Sequence, residues 1–235
     1  MIIVNSTGGG GSSFVADEFS KRGWKVCLRP DGGRQKATHT VEQVYLERTR
    51  PFFENTLELE GEKQYSQKEL FDTAYKNLKN ISNSNLLLLC MSWGGMGFLN
   101  ELEEKTIFLV RDPVFAYNSY SGGGWRSAGG ERRIKYVGAT GPNDKKWIDL
   151  FLGDFSMWVS GVENALKAYN NGSGYIVRYH KFAHDWKKIE GVPPIYRTHK
   201  AKDNEEKIAG FLTQETIEYI REKTNNVWEK VQKIE

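Results

Sequence analysis

The chain has 235 residues, of which 39% are hydrophobic and 27% charged, proportions that fit an ordinary globular protein and exclude a disordered, fibrous or membrane-embedded one. Its formal charge of +3 is too small to announce nucleic acid, although basic residues gathered at one place can still hold an anionic ligand. No run approaches the roughly 20 apolar residues of a bilayer span, and residues 1–4 lead into a polar and glycine-rich stretch without the flank and apolar run of a signal peptide. These features predict one water-soluble, cytoplasmic domain over residues 1–235, with no linker to divide it and no membrane or nucleic-acid partner.

Ile2, Ile3 and Val4 run into Asn5-Ser6-Thr7 and four glycines, and residues 12–22 have helical character, giving strand, glycine loop and helix. Residues 24–28 predict a second strand, after which Pro30-Asp31-Gly32-Gly33 opens a polar stretch to about Thr40. Val41, Val44 and Tyr45 have a helix-like spacing that Pro51 interrupts. Ser66 and Glu69 form a capping box for a helix carrying Leu70, Phe71, Ala74 and Leu78. Continuous apolar runs at 86–90 and 106–110 predict two buried central strands, with Phe98, Leu99 and Leu102 at helical spacing between them. Cys27 and Cys90 lack redox or metal-ligand spacing and read as buried free thiols.

Residues 122–142 are glycine-rich, carry Arg126, Arg132, Arg133 and Lys135, and lack periodicity, which predicts a mobile lid or acceptor-binding loop. Residues 144–169 predict one long helix, stopped by Asn170-Asn171-Gly172-Ser173-Gly174, and residues 175–179 a further strand. Beyond Pro193-Pro194 a basic run, Arg197, His199, Lys200 and Lys202, precedes a final amphipathic helix. Thr213 and Glu215 open that helix, which carries Ile217, Ile220, Val227 and Val231. Strands alternating with helices predict an α/β fold with a mostly parallel central sheet, helices on both faces, and ligand at the carboxyl ends of the strands.

Two constellations can carry chemistry. The first is the loop at Gly8, Gly9, Gly10, Gly11, Ser12 and Ser13, where backbone N–H groups and a positive helix end can surround a phosphate or sulfate. A plain glycine turn with a serine cap is the alternative. The loop lacks the Gly-Lys-Ser/Thr of a standard ATP site, which disfavours an ordinary kinase or ATPase. The second is Phe108-Leu109-Val110-Arg111-Asp112-Pro113, an arginine closing a buried strand, with Ser119 on the helix that begins near Pro113.

Gly11-Ser12-Ser13-Phe14 resembles the 5′-phosphosulfate loop of the PAPS-dependent sulfotransferases, and Arg111 with Ser119 resembles their 3′-phosphate pair. Tyr120 after that serine agrees with the likeness. The resemblance implies a single-domain, P-loop-like α/β fold. It implies transfer of a sulfuryl group from PAPS to a hydroxyl or amine of a small-molecule or glycan acceptor, releasing PAP. Tyr175-Ile176-Val177-Arg178-Tyr179 is similar to the family's strand ending near the adenine, and Arg197 and Lys200 to its late basic segment, so Tyr179, Arg197 and Lys200 are implied cofactor ligands.

The sequence departs from that family twice. The loop has Gly9 and Gly10 where a lysine or arginine is common, so backbone amides or a lysine from elsewhere, such as Lys36, must face the leaving phosphate. Leu89-Cys90-Met91-Ser92-Trp93 lacks the histidine base of many members, and Glu42, ahead of His39, is the expected proton acceptor, with a solvated helix start as the alternative. No metal is expected: His180, His184 and His199 lack ligand spacing. Trp125 and Trp147 suit either sugar stacking or the core. The rival readings are a P-loop small-molecule or nucleotide kinase and a non-catalytic nucleotide-binding module.

Overall fold

The computed structural model describes residues 2–6, 10–27, 86–91, 105–124, 138–155, 158–195 and 212–235. Five strands form one sheet: β1 (Ile2–Ser6), β2 (Lys25–Cys27), β3 (Leu86–Met91), β4 (Thr106–Val110) and β5 (Gly174–Arg178), in the order β2-β3-β1-β4-β5. Every neighbouring pair is parallel. β1 is central, and its Asn5 stands level with Cys90 on one side and Phe108 on the other.

The strands read as continuous apolar runs because the sheet is covered twice. Ile107 and Leu109 of β4 join Ile2, Val4 and Val177 in a cluster with Val15, Ala16 and Phe19 of helix α1 (Ser12–Ser20). Phe182 and Trp186 of α5 (Phe182–Trp186) complete that cluster. Phe108 and Val110 point the other way, as the two-residue strand period requires. They pack with Ile176 and with helices α2 (Pro113–Gly124), α4 (Trp158–Asn170) and α6 (Gln214–Gln232).

Residues 144–169 are not the single helix their composition predicts. A short helix, α3 (Lys145–Asp149), passes into a π-helical stretch, Leu150–Phe155, before α4 starts at Trp158. The offset lets Trp147, Ile148, Phe151 and Trp158 all turn into the core. At 1% exposure Trp147 belongs to that core and offers no face to a sugar.

The stretch from 122 begins inside α2 and ends on an anchored turn, while residues 125–137 lie outside the described residues. In the turn, the Asp144 carboxylate accepts from the backbone N–H of Thr140 and of Lys146, and the Tyr117 hydroxyl donates to the Pro142 carbonyl. Those amides, Thr140 first, hold the Asp144 carboxyl below the ordinary carboxylate range. The helices expected at 41–52, 66–78 and 98–102 also lie outside the described residues. The last helix starts where expected: Thr213 is the N-cap, its hydroxyl accepting from the Thr216 N–H, and Ile220, Val227 and Val231 are buried.

Candidate functional site

The strand order determines where a ligand can enter. From β1 the chain leaves towards β2 at one edge, and from β4 it leaves towards β5 at the other. The connections from these adjacent strands therefore diverge, opening a crevice at their carboxyl ends, the switch point where open α/β sheets bind ligands. The segments bordering it are Gly10 to α1, Arg111 to α2, and Tyr179 just past β5.

Three residues converge there. The Arg111 guanidinium carbon lies 4.4 Å from the centroid of the Tyr179 ring. On Gly11, a Cβ would stand 2.9 Å from Cε2 of the same ring. The Tyr179 ring thus sits between the loop after β1 and the arginine after β4. Arg111 is only 9% exposed, so its charge is placed in surroundings that screen it weakly.

Helices α1 and α2 start differently. Gly11 caps α1 in the left-handed region, at φ 100, and offers no side chain to the helix amides; the first turn holds no acidic residue. Neither Gly11 nor the first turn of α1 thus supplies a negative group to the helix end, which suits that end to an outside anion. Asp112 supplies its own anion to α2: its Oδ1 accepts from Val114 N–H at 2.9 Å and Phe115 N–H at 3.3 Å. Pro113 at the first helical position completes this start. An external phosphate near α2 would thus have to use side chains.

Tyr179 owes its position to a buried ion pair. Asp185 Oδ2 accepts from both the backbone N–H and the Nε of Arg178, at 2.9 and 2.8 Å, and Oδ1 accepts from Nη2 at 2.8 Å. Arg178 Nη1 also donates to the Ile234 carbonyl, tying the end of β5 to the residues after α6. Burial works against the charge of Asp185, but hydrogen bonds from Arg178 and His184 outweigh it and hold the carboxyl below its ordinary range. The residue preceding Tyr179 is consequently fixed in backbone and side chain.

Of the residues expected from sequence, Gly11, Arg111 and Tyr179 are brought together. Gly10 is buried beside them, Ser12 is the buried first residue of α1, and Ser13 follows in the same turn. The Phe14 ring packs edge-on against Phe182, centroids 5.3 Å apart, which anchors α1 to α5. Ser119 is exposed on the second turn of α2. Gly8, Gly9, Lys36, His39, Glu42, Trp125, Arg197 and Lys200 lie outside the described residues. Among the described residues, no three His, Cys, Asp or Glu side chains form a metal-ligand group, and no helix is long and apolar enough to cross a membrane.

Sequence reasoning overlooked Asp112 and its partner. Asp before Pro at a strand-to-helix junction is a legible capping signal. Arg221, whose Nη1 lies 2.7 Å from Asp112 Oδ2, comes from α6, a distance along the chain that no local pattern spans. No protein-family model, curated protein or solved structure matches the chain.

Proposed function

We propose that the chain is a PAPS-dependent sulfotransferase with a P-loop-like site at the β1/β4 crevice. The observation that carries this reading is the convergence of Gly11, Arg111 and Tyr179 at the switch point, beside a helix end whose cap residue, Gly11, has no side chain to offer it. The loop amides at the start of α1 would face the phosphosulfate. Arg111 and Ser119 would hold the 3′-phosphate that distinguishes PAPS from ATP, and Tyr179 would border the adenine. The acceptor oxygen or nitrogen attacks sulfur while the bond from sulfur to the bridging phosphate oxygen breaks, PAP leaves with that electron pair, and the acceptor proton passes to a base, Glu42 or His39. A guanidinium held against an aromatic ring still presents N–H donors in its own plane to an oxyanion, which suits Arg111 to this task.

Calorimetric titration with PAP, AMP and ATP plus magnesium tests it. Selective PAP binding, lost in Arg111→Ala and weakened in Ser119→Ala, is the expected result. Binding of ATP with magnesium in place of PAP overturns the reading in favour of a phosphotransferase. PAP binding without turnover on a panel of hydroxyl and amine acceptors reduces it to a nucleotide-binding module.

A further inference from the structure

Asp112 presents an electrostatic difficulty for any anion site built on Arg111. A carboxylate one residue from the proposed phosphate ligand, with a side chain only 13% exposed, would repel that phosphate through a medium that screens poorly. Two features offset it. The α2 amides of Val114 and Phe115 bond its Oδ1, and the Arg221 guanidinium meets its Oδ2 at 2.7 Å. Arg221 is the only one of these that brings a full positive charge. It projects from the middle of α6, whose Ile220, Val227 and Trp228 are buried in the same core as Val114 of α2.

We propose that Arg221 is a positioning residue of the anion site, neutralising Asp112 so that the carboxylate can cap α2 without expelling a phosphate from Arg111. The inference rests on the reading of Arg111 as an anion ligand and names a residue from a distant helix that sets the charge of that site. Asp112 then does one task, orienting α2, and Arg221 removes the electrostatic cost of that task. In Arg221→Ala the cap remains but its charge is uncompensated. In Asp112→Asn the cap remains, since asparagine also accepts from helix amides, and the charge is gone.

The test is a double-mutant cycle on the full chain, read by calorimetry with two probes, PAP and inorganic pyrophosphate, with melting temperature recorded for each variant. Arg221→Ala is expected to weaken anion binding on the order of tenfold at low salt, with the deficit shrinking as salt rises. Asp112→Asn should bind at least as tightly as the wild type, and Asp112→Asn combined with Arg221→Ala should return to near wild-type affinity. Arg221→Lys, which keeps the charge, should recover most of the loss. A merely structural clamp predicts that the double variant is as weak as Arg221→Ala; that result, or unchanged binding in Arg221→Ala, overturns the proposal. If pyrophosphate follows the cycle and PAP does not bind, the sulfotransferase reading fails and this inference stands. If the wild type binds neither probe, both fall.

Discussion

The guanidinium of Arg111 lies over the ring of Tyr179, and the edge of that ring faces the Cα of Gly11 where any side chain would collide with it. One aromatic side chain from the end of β5 therefore gauges the distance between the loop after β1 and the arginine after β4. Glycine at 11 meets two independent demands, space for the ring and a backbone at φ 100. Gly11→Ala should cost on the order of 1–3 kcal/mol for the left-handed backbone alone, with the ring contact added to it. Thermal unfolding should show a loss of several degrees. Tyr179→Ala in the same chain should return only the part due to the clash, so the two changes should be less than additive.

The ring, rather than the hydroxyl, makes both of these contacts. Tyr179→Phe should therefore keep the contacts with Arg111 and Gly11, whereas Tyr179→Leu should lose the cation–π attraction, worth about 0.5–1 kcal/mol or more where solvent is excluded. Anion titration should follow the same order, because the ring is one of the contacts that orient the Arg111 guanidinium. Equal affinity in the leucine and phenylalanine variants would remove Tyr179 from the site.

The parts of this arrangement that are local in sequence were legible in it. Thr106–Val110 is an apolar strand-length run and was expected with the bounds it has, and Arg111 follows it directly. The helices begun by Ser12, Pro113 and Thr213 announce themselves through glycine, Asp-Pro and threonine at their starts. The π-helical stretch at Leu150–Phe155 was not legible, because a shift in hydrogen-bond register leaves helical composition unchanged and is selected by the packing of Trp147, Phe151 and Trp158. Nor were the partners of Arg178 and Asp112. Arg178 is 1% exposed because Asp185 of α5 receives it. The Gly11–Tyr179 approach depends on strand order, which short-range spacing does not encode.

Asn5 occupies an apolar position on the central strand, 3% exposed, and its Oδ1 has no hydrogen-bond partner among the described residues. It lines a small slot with Phe108, Val110, Gly161, Val162 and Ala165. A buried acceptor left without a donor costs roughly 1–3 kcal/mol. Asn5→Leu, similar in shape, should raise the urea midpoint by an amount equivalent to about 1 kcal/mol with an unchanged slope. A lowered midpoint would mean instead that the oxygen holds an internal water in that slot.

The pair Arg178–Asp185 should govern behaviour in acid. The folded carboxyl of Asp185 lies below its ordinary value of 3.8 because Arg178 and His184 bond its charged form more than burial disfavours it. A depressed folded pKa means that the unfolded chain binds the proton first. The pair's contribution is therefore fully present above the unfolded value and is lost as pH falls below about 4 and through the folded value. Asp185→Asn leaves Arg178 buried without a counter-charge and should cost roughly 3–5 kcal/mol at neutral pH. Its stability should then fall less steeply than that of the wild type below pH of about 4. Denaturant unfolding of both proteins across that range provides the measurement. Because Asp185 also bonds the backbone next to Tyr179, the variant should weaken anion binding even where it remains folded. Affinity equal to that of the wild type in folded Asp185→Asn would confine the pair to stability and separate it from the site.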